Sequence, residues 1–421
     1  MKSILTVPAR RAEARSLILW TALVLGGCTS APTVEDKTPL PPAVTSEADP
    51  NQRFTQWVAD FSATARQAGI TDATLRVAFD NVRFIPRAID ADRAQPEFSR
   101  TVWAYLDSAV SAPRISRGRD KLQHLRAQID PIATRYGVPP EVLVAIWGME
   151  SSYGSVMGDI PTVDTLATLG FEGRREAWAR SQLLAALQIL QNGDIERTQM
   201  IGSWAGAMGQ TQFLPSSFLA HAVDADGDGR RDIWSSLPDV MASTANFLVK
   251  SGWQTGQAWG AEVRLPVGFD YARADTDVRQ ATAAWIRDGV QSLDGSTLPA
   301  FDDGAILLPA GARGPAFLVG PNFRTILRYN NSTSYALAVH LLAQGFANGP
   351  HVQTPWPREL QALTRAQMLA LQTALNTAGF DSGKPDGMMG PATQRGIRRY
   401  QRSLGLPADG FPTLELLQRL Q

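Results

Sequence analysis

The chain has 421 residues, with 40 Lys plus Arg against 40 Asp plus Glu and a formal net charge of zero at pH 7. Single cores stop growing near roughly 250 to 300 residues, so this length calls for two or three domains. The balanced charge leaves no overall field to gather nucleic acid, which is excluded as an expected partner. The first informative segment is the N-terminus, where Lys2, Arg10, Arg11 and Arg15 precede an apolar run from Leu17 to Leu25 that closes on Gly26-Gly27-Cys28. The run is shorter than the roughly 20 residues a bilayer core requires and ends in small residues, so residues 1–27 read as a signal peptide. Cys28 is the only cysteine, which excludes an intramolecular disulfide and a zinc cluster.

Leu25-Gly26-Gly27-Cys28 resembles the lipobox of bacterial lipoproteins. The resemblance implies lipidation of Cys28, and Thr29 in place of Asp implies an outer-membrane anchor facing the periplasm. Residues 28–50 are rich in Pro, Thr, Ser and acid, with little to bury, and read as a lipidated tether.

From 51 to about 350 the apolar residues recur at helical spacing, as in Phe54-Trp57-Val58-Phe61 and Leu183-Leu184-Leu187-Leu190. Three short apolar stretches bounded by Gly and Pro, at 262–266, 305–309 and 316–319, suit strands of a small inserted sheet. The segment Gly349-Pro350 to Pro355-Trp356-Pro357 marks a domain boundary. After it, residues 360–421 contain an internal echo: Asp386-Gly387 precedes Gly390-Pro391-Ala392-Thr393, and Asp409-Gly410 precedes Pro412-Thr413. Each is a turn feeding a helix. With Leu371-Gln372-Thr373-Ala374-Leu375 and Ile397-Arg398-Arg399-Tyr400-Gln401, this region resembles the small three-helix peptidoglycan-binding domain.

Prolines 139 and 140 are tolerated only in a first helical turn, Glu141 suits the positive end of a helix, and Gly154 lies just past a plausible stop. Residues 140 to about 152 are therefore expected to be helical. Glu150 falls four residues after Ile146 and seven after Leu143, which puts its carboxyl on the apolar face of the last turn. Desolvation and the wrong end of the helix dipole both favour a protonated acid there, as protonation of a glycosidic oxygen requires. Position alone leaves open a buried ion pair with Arg174 or Arg175. Glu150-Ser151-Ser152-Tyr153-Gly154 resembles the catalytic signature of the goose-type lysozyme and lytic transglycosylase superfamily, in which the Glu is the sole acid/base.

The stretch Ser203-Trp204-Ala205-Gly206-Ala207-Met208-Gly209-Gln210-Thr211-Gln212-Phe213 alternates small residues with amides, and Gln212 can both donate to and accept from sugar hydroxyls. It lacks the Gly-Lys-Ser/Thr of a phosphate-cradling loop. Together with Arg328-Tyr329-Asn330-Asn331-Ser332-Thr333-Ser334-Tyr335, it narrows the likeness to the membrane-bound lytic murein transglycosylase B family. That resemblance implies a lysozyme-like helical catalytic domain in a mainly α (α+β) protein. It further implies Ser203, Gln212, Asn330 and Tyr335 around Glu150, and cleavage of the β-1,4 link after N-acetylmuramic acid with a 1,6-anhydro end. A muramidase using the same Glu with water, or a wall-binding lipoprotein without catalysis, are the alternatives.

Asp224, Asp226 and Asp228 stand at positions 1, 3 and 5 of an EF-hand-like loop, with Gly229 at 6 and the carbonyl of Arg230 at 7. Position 12 is Ser235, so no Glu closes the loop. The related transglycosylases carry an atypical calcium loop closed by a later Asp, which implies Asp239, one residue further out than in that pattern. Any Ca2+ is expected to be structural, with no cofactor for catalysis. The expected partners are peptidoglycan glycan strands and a membrane, the latter through the lipid, and the chain is expected to act as a monomer.

Overall fold

The computed structural model describes residues 49–94 and 100–421; the expected signal peptide, Cys28 and all but the last two residues of the expected tether lie outside the described residues. Among the described residues no helix is long and apolar enough to cross a membrane.

Residues 50–346 are chiefly helical, and local chemistry sets the helix ends. Thr71, Thr101 and Ser332 each accept a hydrogen bond from a backbone N–H in the first turn of the helix that follows. Such caps satisfy donors that would otherwise be orphaned. The helix Ala112–Tyr136 stops at Gly137, whose φ of 65° is a left-handed conformation that strains any residue with a Cβ. After a two-proline step the helix Pro140–Ser151 begins, with Pro140 and Glu141 in its first turn, and it buries every residue from Val142 to Gly148. A helix apolar on all sides belongs at the centre of a fold. This one packs against Ala112–Tyr136, Leu237–Lys250 and Thr333–Phe346. Leu143 and Ile146 are fully buried there, in one core with Ile129, Met241 and Leu337.

The inserted sheet has five antiparallel strands in the order Arg279–Gln280, Gly304–Leu307, Ala316–Val319, Gly260–Arg264, Gln291–Ser292. Gly304–Leu307 and Ala316–Val319 are buried along their whole length because the sheet separates two cores. Ala305, Leu307, Phe317 and Val319 enter the helical core, while Ile306, Ala316 and Leu318 enter a second one around Phe269, Trp285 and Phe301. Side chains alternate faces along a strand, so an unbroken apolar run is what a strand apolar on both sides requires. The three expected stretches are strands, with the first two beginning one or two residues earlier than expected. Arg279–Gln280 and Gln291–Ser292 are polar two-residue edges that carry no periodicity; their partners alone make them strands.

The C-terminal region forms three helices, Arg365–Thr377, Pro391–Ser403 and Leu414–Leu420, over a core of Met368, Leu371, Leu375, Ile397, Tyr400, Leu416 and Leu417. The repeated Asp-Gly turns are the same polar knot built twice. Gln372 accepts the N–H of Asp386 at 3.0 Å and of Gly387 at 2.8 Å while donating to Asp386 Oδ1. Gln401 accepts the N–H of Gly410 at 2.8 Å while donating to Asp409 Oδ1. This region is bonded to the sheet insertion: Asp409 accepts the N–H of Ala312 at 2.7 Å, Arg313 pairs with Glu415, and buried Arg398 pairs with Asp275. The Pro-rich boundary segment is held as well, through Glu262, which accepts the N–H groups of Gln353 and Thr354, and through Arg358 on Asp107.

Candidate active site

Glu150 occupies the last turn of Pro140–Ser151 and is half-buried. Each residue of the signature that follows has a visible task in turning the chain. Ser151 is buried, donates to the carbonyl of Trp147 at 3.1 Å and accepts the N–H of Gly154 at 3.0 Å. Ser152 and Tyr153 then take the left-handed conformation, at φ 50° and 62°. Such backbone costs roughly 1 to 3 kcal/mol per residue outside Gly and persists only where its surroundings enforce it. The enforcement is visible at Tyr153, whose ring lies edge-on to Trp147 and whose hydroxyl donates to the carbonyl of Arg114 at 2.8 Å. Arg114 itself donates to the carbonyl of Gly148 at 2.6 Å. Gly148 leaves the room this ring needs, since a Cβ there would lie 2.6 Å from Tyr153 Cε1.

Tyr335 reaches Glu150 from the first turn of Thr333–Phe346, its hydroxyl donating to Oε1 at 2.5 Å. Tyr329, at the end of Pro321–Tyr329, donates to the carbonyl of Thr211 at 2.7 Å. Burial first, and the charge of Glu150 second, hold both phenols well above the ordinary tyrosine range, so both stay protonated donors. The arginines weighed as partners for Glu150 are committed elsewhere. Arg174 Nε and Arg175 Nη1 lie 2.6 and 3.1 Å from the carboxylate of Asp92, which is 2% exposed.

The small-residue stretch folds back on itself beside this turn. Ser203 Oγ accepts the N–H groups of Ala205 and Ala207, so of its hydroxyl's hydrogen-bonding capacity only the proton remains for a ligand. Gln212, at φ 51°, donates to the carbonyls of Gly209 and of Met157, which ties this loop to the segment after the signature. Asn330 is exposed in the connection between Pro321–Tyr329 and Thr333–Phe346. Of the four groups expected around Glu150, the structure thus brings Tyr335 into direct contact. It sets Ser203 and Gln212 in the neighbouring loop and Asn330 at the surface between the two helices.

Sequence reasoning missed Gln210, Tyr329 and Arg114. Gln210 and Gln212 are two amides two positions apart among small residues, and nothing in a sequence tells which one turns inward. Gln210 is the buried one, accepting from Trp147 Nε1 at 2.7 Å and donating to the carbonyl of Trp234 at 2.8 Å.

In the acidic loop, carboxylate oxygens of Asp224, Asp226 and Asp239 lie within 4.8 Å of one another. Asp239 is fully buried, accepts the N–H groups of Ala225 and Asp232 at 2.8 and 2.7 Å, and is raised by burial above the usual carboxylate range. Asp228 is set outside this trio, with Oδ1 accepting the N–H of Arg230 at 2.8 Å. Ser235, at position 12, bonds instead to Asp232. Three convergent carboxylates, one of them buried, are a donor set that suits a hard cation such as Ca2+.

Residues 53–344 match the sequence family described as the transglycosylase SLT domain, and residues 364–420 match the putative peptidoglycan binding domain. Over 219 residues the chain is 37% identical to membrane-bound lytic murein transglycosylase B of Escherichia coli (strain K12), a match covering 50% of this chain and 58% of that protein. The chain therefore spans less than two thirds of the length of that curated relative. The crystal structure of SltB3 from Pseudomonas aeruginosa in complex with NAG-anhNAM-pentapeptide is similar at a TM-score of 0.85 and 50% identity, covering 87% of this chain and 99% of that one. Escherichia coli SLT35 in complex with calcium is similar at a TM-score of 0.60 and 27% identity, covering 70% and 93%.

Proposed function

Because the chain belongs to the transglycosylase SLT domain family, we propose that it is a lytic transglycosylase that cuts the β-1,4 link between N-acetylmuramic acid and N-acetylglucosamine in peptidoglycan. The observation that carries this reading is the hydroxyl of Tyr335 on Glu150 Oε1 at the end of a buried helix. A protonated Glu150 gives its proton to the glycosidic oxygen as the bond from that oxygen to C1 breaks. The resulting carboxylate takes the proton from the 6-hydroxyl of the same muramyl residue while O6 bonds to C1, which restores the acid and leaves a 1,6-anhydro end. Ordinary glycosidases divide these tasks between two carboxylates, whereas this mechanism returns both to one. Tyr335 orients the carboxyl throughout, and Ser203, Gln212 and Asn330 supply hydrogen bonds to the sugars.

The three-helix region holds the same polymer, in keeping with its family match. Lipidation at Cys28 anchors the chain to the outer membrane on its periplasmic side, a reading supported by Leu25-Gly26-Gly27-Cys28 and by a membrane-bound relative. Asp224, Asp226 and Asp239 hold a structural Ca2+, and Asp228 and the carbonyl of Arg230 join its shell only if the loop tightens around the ion; the calcium complex of SLT35 supports this. The cation takes no part in the chemistry, which needs no cofactor.

Digestion of purified peptidoglycan, read by mass spectrometry, tests the reaction. The intact protein should release anhydromuramyl products, and Glu150→Gln should release none while still binding the insoluble wall. Reducing ends in their place would assign a hydrolase, and unchanged release by Glu150→Gln would remove Glu150 from the mechanism.

A further inference from the structure

We infer that Gln210 is a positioning residue for Glu150, acting through Trp147; this rests on the function proposed above. The amide of Gln210 is used at both ends. Its Oε1 accepts from Trp147 Nε1 at 2.7 Å, its Nε2 donates to the carbonyl of Trp234 at 2.8 Å, and its own N–H donates to the carbonyl of Ile233 at 2.8 Å. Trp147 stands one helical turn before Glu150, and its carbonyl accepts from Ser151 Oγ and from the N–H of Tyr153. Gln210 thus ties the turn that carries the acid to the segment 233–234, near the end of the acidic loop.

The chain is shaped to admit this amide. Gly154 has φ +79°, and a Cβ there would lie 2.4 Å from Gln210 Oε1. The glycine that closes the signature is therefore needed twice, for its backbone and for the space it leaves. Gln210 is 9% exposed and Trp147 5%, so water cannot readily replace either bond. Gln is also the uncharged side chain of this length that accepts at one end and donates at the other. Glu in its place would set an anionic oxygen against the carbonyl of Trp234 and could donate there only when protonated.

Gln210→Leu and Gln210→Glu test the assignment, through steady-state release of anhydromuramyl products and through the 15N–1H resonance of the Trp147 indole. In Gln210→Leu the indole resonance should move, and kcat should fall about 10- to 100-fold at unchanged KM, as expected for a displaced catalytic group. In Gln210→Glu kcat should be low at neutral pH and recover relative to the unaltered protein as the pH falls and the new carboxyl protonates. If Gln210→Leu does not fold, the acid recovery of Gln210→Glu decides alone. A folded Gln210→Leu with unaltered kcat, a loss confined to KM, or a Gln210→Glu pH profile parallel to that of the unaltered protein would overturn the assignment. Absence of anhydromuramyl products from the unaltered protein would instead sink the proposed function. The indole resonance would still report whether Gln210 holds Trp147.

Discussion

Tyr335 donates its phenolic proton to Oε1 of Glu150 at 2.5 Å across 185 positions of sequence. One helix ends at the acid and another begins at the tyrosine, and the two pack against each other. The acid's orientation is therefore a property of the helical core.

Tyr335→Phe removes that donor and leaves a ring that fits the same buried site. A hydrogen bond to the carboxylate that Glu150 becomes once it has given up its proton contributes roughly 1.5 to 3 kcal/mol, so kcat should fall about 10- to 100-fold with KM little altered. Turnover measured on purified peptidoglycan checks this, and an unaltered rate would mean that the phenol does not orient the acid.

His340 gives the fold an acid-sensitive element. It is 2% exposed, stacked on Trp259 with ring centroids 5.0 Å apart, and burial lowers its pKa to about 3. The unfolded chain therefore binds a proton near pH 6.5 that the folded chain refuses until about pH 3. Stability from this group is complete above pH 6.5 and declines as pH falls toward 3, each unit being worth roughly 1.4 kcal/mol. Urea unfolding of the protein and of His340→Phe across that range should show a shallower decline in the variant; matching slopes would refute the role.

Asp239→Ala removes the fully buried acceptor of the half-buried N–H groups of Ala225 and Asp232. The loss should be roughly 2 to 5 kcal/mol in urea unfolding. Added Ca2+ should raise the unfolding midpoint of the unaltered protein and leave that of the variant where it was. Equal Ca2+ responses would place the cation elsewhere or nowhere.

Asp409→Ala combined with Arg398→Ala cuts the bonds to Ala312 and Asp275 that seat the three-helix region on the sheet insertion. Asp409 also accepts from Gln401 and from the N–H of Phe411, so its own turn should loosen too. We expect a larger radius of gyration in solution scattering and faster proteolysis in the segment 348–364. A scattering curve identical to that of the parent would show that apolar contacts suffice to hold the region in place.

The helix Pro140–Ser151 was legible because its signals are local: proline where no N–H is needed, acid at the positive end, and an unbroken apolar stretch. The strands Gly304–Leu307 and Ala316–Val319 were legible for a related reason, since a run buried on both faces has to be apolar throughout. Arg279–Gln280 and Gln291–Ser292 were not, because only their neighbours make them strands. The commitment of Arg174 and Arg175 to Asp92 was equally invisible, as it joins residues more than 80 positions apart.

By itself the sequence marked Glu150 as a carboxylate placed where burial makes charge expensive, which left a buried ion pair open, and the resemblance carried by Glu150-Ser151-Ser152-Tyr153-Gly154 singled it out as the acid. Only the tertiary structure decided what surrounds it. Tyr335 meets Glu150, and Gln210 meets Trp147 one turn before it, through the packing of separate elements, and a hydrogen bond depends on distances of a few tenths of an ångström that no spacing along the chain encodes.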